Sequence, residues 1–202
     1  MQKNLNHSAD SYVSGTVGGR TGHLLRRCIH VLMLLIPIAY YYWGDLIYHY
    51  FNHAKVELIL IVLVIVIAAE MLRMKKRYLI FGQRSHEATH ISSFAWGAMA
   101  MAIVLLLVPA PIYAIPIVAG CAVGDPLIGA LKYRLPGYVA RIIAFVVIAF
   151  IWWVCGHYML IPVWFPVVIA FITVLVEWPN LTWIDDNALM QLVPLFILLF
   201  FV

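Results

Sequence analysis

Seven continuously apolar stretches run through this chain, at about 28–48, 56–73, 91–108, 110–123, 141–158, 161–177 and 188–202. Crossing about 30 Å of hydrocarbon takes roughly 20 helical residues, and most of these stretches come near that length. The stretches at 110–123 and 188–202 are short and suit tilted or half-length spans. Their apolar residues follow one another without alternation, which favours helices over a barrel. Of the 202 residues, 65% are hydrophobic and only 11% are Asp, Glu, Lys or Arg. A soluble core of this size has no room for so much apolar surface, and soluble domains carry about 25% charged residues. The expected fold is all-α: a polytopic integral membrane protein of about seven transmembrane helices, with one membrane-embedded domain at 24–202. Residues 1–23 are polar and rich in Ser, Asn and Gly, and read as a flexible cytoplasmic tail. No apolar run ending in a small-residue cleavage site follows the start, so the tail does not read as a signal peptide.

The charges orient the bundle. With the N-terminus in the cytoplasm, the inner segments are the tail, 74–90, 124–140 and 178–187. With the span ends beside them they hold Lys3, Arg20, Arg26, Arg27, Arg73, Lys75, Lys76, Arg77, Arg84, Lys132, Arg134 and Arg141, which is 12 of the 13 basic residues. Only Lys55 falls outside, as the positive-inside rule requires. This bias accounts for the +4 formal charge without any nucleic-acid partner. The acids follow, though the rule does not ask it of them: Asp10, Glu70, Glu87, Asp125, Glu177, Asp185 and Asp186 fall inside, and only Asp45 and Glu57 outside. Ionisable groups at membrane depth face a cavity or a partner, and Glu70, Asp125 and Glu177 stand at span ends. The active face is therefore expected to be cytoplasmic.

Four inner segments carry candidate chemistry. In Arg26–His30, Arg27 and His30 are three apart and share a helix face. In Arg84–Ser93, Arg84 and Glu87 have the same spacing, and a guanidinium there suits a phosphate. In Gly124–Gly137, Gly124 and Gly129 allow close backbone approach. Asp125 there is a hard-oxygen ligand suited to Mg²⁺, and Lys132 and Arg134 suit phosphate oxygens; the same residues also read as a turn begun by Asp125-Pro126. In Val176–Asn187, the run Asp185-Asp186-Asn187 either caps the following helix or holds Mg²⁺ and orients a hydroxyl nucleophile. Together these segments bring metal-binding oxygens and phosphate-binding cations to one lipid–water boundary. Phosphoryl transfer needs little from a protein beyond such position and charge.

The set resembles the CTP-dependent lipid-alcohol kinases, comprising dolichol kinase, phytol kinase and the yeast-type diacylglycerol kinase. The matching features run in that family's order over about residues 24–195. They are Arg26-Arg27 with His30; Glu70-x-x-Arg73; Arg84-x-x-Glu87 leading into a small-residue span with Ser92 and Gly97; Gly124-Asp125 with Gly129; and Glu177-x-x-Pro179 with Asp185-Asp186-Asn187 and Pro194. The last is the most specific. The resemblance implies transfer of the γ-phosphate of CTP to the hydroxyl of a membrane lipid such as a polyprenol, phytol or diacylglycerol, with Mg²⁺ as cofactor. It makes Asp125 a metal ligand, and Asp185 or Asp186 a ligand or the base. Asn187 and Glu177 complete the expected metal set, with Glu70, Arg73 and Glu87 in support. The membrane expected is the plasma membrane of a bacterium or archaeon, or an endoplasmic-reticulum-type membrane of a eukaryote. The chain departs from the family where a Lys-Ser/Thr-x-Glu-Gly stretch usually follows Gly-Asp: Leu135-Pro136-Gly137 leads straight into an apolar span.

Two other readings compete. His86-Glu87-Ala88-Thr89-His90 spells H-E-x-x-H, which on a helix sets two His on one face for Zn²⁺ with Glu as base, as in an intramembrane metalloprotease. A transporter or non-catalytic relative would use the span-end acids as an ion path, but they gather at one surface and no repeat is visible. Cys28, Cys121 and Cys155 read as small buried side chains, Tyr40–Tyr50 and Trp178 with Trp183 as interfacial belts, and Trp152 with Trp153 as lipid-facing or packed.

Overall fold

The structure is a computed structural model and describes residues 15–51, 54–156, 162–178, 181 and 183–201. Among them the chain is helical, with one isolated bridge between Thr16 and Arg84 and no strand. The helices are α1 (Gly19–Leu32), α2 (Leu35–Tyr42), α3 (Gly44–Phe51), α4 (Lys55–Lys76), α5 (Ser93–Leu107), α6 (Pro111–Leu131), α7 (Gly137–Gly156), α8 (Trp164–Leu175) and α9 (Asp186–Leu198). A 3₁₀ turn, Ser85–Ala88, lies between α4 and α5. Three stretches are long and apolar enough to cross a bilayer: Gly19–Tyr42, Pro111–Leu131 and Gly137–Gly156. The shorter apolar helices are α5, α8 and α9.

Helix α6 is the axis of the bundle, packed against α1, α2, α7 and α9. Its buried face is built from small residues, among them Ala114, Ala119, Gly120, Cys121, Ala122 and Gly124. Small side chains let helix backbones approach where lipid supplies no hydrophobic drive. A Cβ at Gly124 would stand 2.9 Å from Ile148 Cδ1 of α7 and 3.1 Å from Met190 Cε of α9. Trp152 is fully buried against this core, whereas Trp153 is half exposed. On the outside, apolar side chains such as Val64 of α4 and Phe171 of α8 stay exposed, as expected of surfaces solvated by lipid.

Several expectations are corrected. Helix α1 begins at Gly19, inside the stretch read as a tail. Residues before it are pinned too: Val17 N–H donates to Gln83 O and Gly82 N–H to Val17 O. Gly18 makes the tight entry with φ +85°, and a Cβ there would strike the Phe81 ring at 2.1 Å. The rest of the expected tail, 1–14, lies outside the described residues, as does Pro179. The first apolar stretch, expected at 28–48, divides, with Gly44–Phe51 forming a separate short helix. Helix α6 does not stop at Val123 but continues through Pro126 to Leu131. Gly124-Asp125 is therefore helical, and the turn comes at 132–136. Cys28 is exposed rather than buried.

Candidate functional site

The first polar layer is a scaffold. Arg73, at the end of α4, is held by Glu70 through paired bonds of 2.9 Å and 2.8 Å. Its guanidinium also donates to the carbonyls of Tyr78, Glu87 and His90. One buried fork thus fixes the whole 78–90 segment, and a rigid planar fork suits that task better than an ammonium. Glu70 and Arg73 support the site and do not line it.

The second layer rests on that segment. Glu87 is 1% exposed. Its Oε1 accepts from Arg26 Nη1 at 2.8 Å and from the Arg84 backbone N–H at 3.2 Å. Arg26 Nη2 donates to Ser93 Oγ at 2.6 Å, and Ser93 donates onward to Asp185 Oδ2 at 2.6 Å. The chain Glu87–Arg26–Ser93–Asp185 therefore ties α1, the 3₁₀ turn, α5 and the start of α9 together. Asp185 also caps α9, with its Oδ1 accepting from the Asn187 N–H, so the capping reading of this carboxylate holds.

Above this layer lies a cavity of about 230 Å³ lined by Arg27, His30, Arg84, Asp125, Lys132 and Asp186, with His23, Arg26, Gly129, Tyr133 and Glu177 completing its walls. Residues from α1, α6, α9 and three connecting turns meet here although they are far apart in sequence. His30 Nε2 donates to Asn187 Oδ1 at 2.7 Å and stands 3.7 Å from Asp125 Oδ2. Arg27 lies over the Tyr133 ring at 5.7 Å. Gly129 earns its place by proximity, since a Cβ there would stand 3.4 Å from Arg27 Nη2.

Asp185 and Asp186, both ahead of the apolar part of α9, are driven apart in acidity. Burial works to raise the Asp185 carboxyl, but hydrogen bonds from Asp186, Ser93 and the Asn187 N–H outweigh it and hold it below the usual range. Burial, joined by the like charges of Asp125 and Asp185, pushes Asp186 well above that range. Of these two neighbours Asp185 is the anion and Asp186 the carboxyl that keeps a proton.

Two expected site residues stand elsewhere, and a third lines the cavity with its carboxylate already engaged. Gly124 is buried in the helix core and does not line the cationic cavity. Arg134 is exposed in the turn after α6 and does not line the cavity. Glu177 is 6% exposed and spends its carboxylate on Lys132, with Arg141 Nε at 3.3 Å. Two cations at those oxygens compete with any metal, so Glu177 orients Lys132 instead. Asn187 is likewise taken up by His30, and Cys121 Sγ donates to its carbonyl and Oδ1. The remaining donors suit Mg²⁺ differently. Among the described residues no cluster of three His, Cys, Asp or Glu is arranged to hold a metal alone. Mg²⁺ bound with a nucleotide needs only one or two carboxylates, the phosphates supplying the rest. Asp125 and Asp186 fit that smaller set, and a cation would offset the burial and the like charges that raise Asp186.

The helix required by the zinc reading is absent. His86 lies in the 3₁₀ turn, Thr89 ends it, and Glu87 points inward to Arg26. His86 and His90 are both exposed, and His90 Nδ1 lies 3.1 Å from the His86 carbonyl oxygen.

Sequence reasoning passed over His23, Arg26 and Ser93 as site residues. His23 Nε2 is buried at the cavity with no hydrogen-bond partner among the described residues. The signal was present: His23, Arg26, Arg27 and His30 recur at three- and four-residue spacing on one helical face. It was masked by assigning His23 to the tail.

A second cavity, of about 250 Å³, opens between α1 and α5. Its lining is almost wholly apolar, including Ile29, Met33, Ile36, Phe94 and Met101. Ser93 and His30 are on its wall, and His30 also lines the cationic cavity. A third, of about 400 Å³, lies on the other side of Arg84 and Asp186. No protein-family model matches the chain, and no curated protein or solved structure matches it either.

Proposed function

We propose that this chain is a polytopic membrane protein of seven spans with its N-terminus in the cytoplasm, and that it transfers a phosphate from a nucleoside triphosphate, CTP by preference, to the hydroxyl of a membrane lipid. The observation that carries the reading is the sharing of His30 between a cationic, carboxylate-bearing cavity and an apolar groove. A phosphate donor and a greasy acceptor need adjacent compartments of those two kinds.

In this reading Arg27, Lys132, Arg84 and His30 bind the polyphosphate, and Asp125 and Asp186 would hold the Mg²⁺ that comes with it. The metal would neutralise charge on the β- and γ-phosphate oxygens. The lipid lies along the groove with its hydroxyl beside His30. The hydroxyl oxygen attacks the γ-phosphorus, the bond to the β–γ bridging oxygen breaks, and the nucleoside diphosphate leaves. Asp186 gives up its own proton when the cation enters, and would then accept the hydroxyl proton as the oxygen–phosphorus bond forms. Asp185, held low by its donors, is the poorer base and keeps Ser93 and Arg26 in place. Glu177 sets Lys132, and Asn187 sets His30.

Purified protein in detergent, given labelled CTP or ATP, Mg²⁺ and a mixture of polyprenols and diacylglycerol, is expected to make labelled lipid phosphate. Asp125→Asn is expected to lower that rate by about 10²- to 10³-fold. Absence of transfer with every donor, from protein shown to be folded, would remove the kinase reading.

The topology has its own test. In intact cells a cysteine placed at Lys55 should react with an impermeant maleimide, and one placed at Lys76 only after the membrane is opened. The reverse pattern inverts the orientation, and labelling of both from outside removes a spanning α4.

A further inference from the structure

We infer that the cavity of about 400 Å³ beside Arg84 and Asp186 seats the nucleoside of the phosphate donor. This deepens the reading given above and rests on it. The cavity lies between the 84–91 turn and the start of α9, and its walls include His86, His90, Trp96 and Trp183. It is not an isolated hollow. Arg84 and Asp186 line both it and the cationic cavity, so a ligand with phosphates in one continues past those two side chains into the other.

The chemistry of the three compartments assigns their contents. The groove at His30 has almost no polar wall and accepts hydrocarbon. The cavity with Arg27, Lys132 and Asp125 accepts phosphates. The third mixes two indoles with two imidazoles, an arrangement that meets a planar heterocycle on its faces and on its polar edge. Base–aromatic stacking tolerates any base, because every base has a π-face. Trp183 is 73% exposed, and a base laid against it would cover surface that the fold leaves bare. Its neighbour Trp178 is engaged differently, with Arg141 at 4.4 Å from its ring, and does not line the cavity. If both indoles served only as an interfacial belt, removing either should be equivalent.

Equilibrium binding to the detergent-purified full chain, with Mg²⁺, separates the possibilities. Labelled CTP and ATP are measured alongside inorganic tripolyphosphate. Wild-type protein should bind the nucleotides more tightly than tripolyphosphate. Trp183→Ala should weaken nucleotide binding about tenfold and leave tripolyphosphate unchanged. Trp183→Phe should recover most of the loss, and Trp178→Ala should alter neither ligand. Equal affinity for tripolyphosphate and nucleotide in the wild type would overturn the inference while leaving the phosphate cavity standing. So would equal weakening of both ligands by Trp183→Ala, which would make the indole a prop of that cavity. Failure of the wild type to bind either ligand would overturn the kinase reading together with the inference.

Discussion

Asp186→Asn is expected to stabilise the metal-free protein while lowering phosphate transfer by about 10³-fold. Two effects oppose each other at this residue. As the first residue of α9, its negative charge is favoured by the helix N-terminus by about 0.3–1 kcal/mol. Burial and the neighbouring Asp125 and Asp185 work the other way, and they win, since the carboxyl is pushed well above its ordinary range. The folded protein therefore holds a proton on Asp186 at pH values where the unfolded chain has released it. With chelator present, stability should fall as pH rises from the ordinary aspartate range through the raised value, and stay low above it. An asparagine cannot ionise, so the variant should lose that limb of the melting curve and melt a few degrees higher at neutral pH. Mg²⁺ with nucleotide should recover the loss in the wild type, by binding the folded state. Melting temperatures from pH 4 to pH 9, with and without Mg²⁺–CTP, read all of this. Parallel pH curves for the two proteins would show that Asp186 carries no such strain, and a lower melting point for the variant would make it a structural residue.

The same site shows which features of this chain are legible in one dimension. The apolar runs announce helices because hydrophobicity is a local property of composition, and each of the seven stretches coincides with helix in the described residues. Their ends were harder. Helix α6 passes through Pro126 because the missing N–H removes one bond within a helix already held on several sides by α1, α7 and α9, a tertiary effect that no local rule foresees. The ion pair of Glu70 with Arg73 is legible, being one helical turn apart. The pair of Arg26 with Glu87 spans 61 positions and is not. Charge alone made Glu177 and Asn187 look like metal ligands. Only packing reveals that Lys132 and Arg141 reach the one, and His30 and Cys121 the other. The H-E-x-x-H spelling fails for the same reason: Arg73 grips the Glu87 and His90 carbonyls, and the segment turns instead of continuing as an α-helix.

Arg26→Met is expected to cost about 3–5 kcal/mol of folding stability, the range for removing one partner of a buried ion pair. The side chains of Arg26 and Glu87 are only 7% and 1% exposed. Glu87 Oε2 already lacks a hydrogen-bond partner among the described residues. Without Arg26 its carboxylate would keep only the Arg84 N–H, in a site with little water. Glu87→Gln should cost less, about 1–3 kcal/mol, because Arg26 keeps Ser93 and borders the polar cavity, where its charge is partly solvated. The double variant Arg26→Met/Glu87→Leu should regain much of the stability of the single Arg26→Met, since two packed apolar side chains need no mutual compensation. Phosphate transfer should not return with it. Arg26 also holds Ser93, which holds Asp185, and its guanidinium borders the cavity proposed for the phosphates. Thermal melting and transfer assays on the same four proteins separate the two roles. A double variant that is both stable and fully active would reduce Arg26 to a fastening between α1 and the 3₁₀ turn. A double variant that is stable and inactive would mean that the ion pair is kept for the charge it presents to the cavity and not for the stability of the bundle.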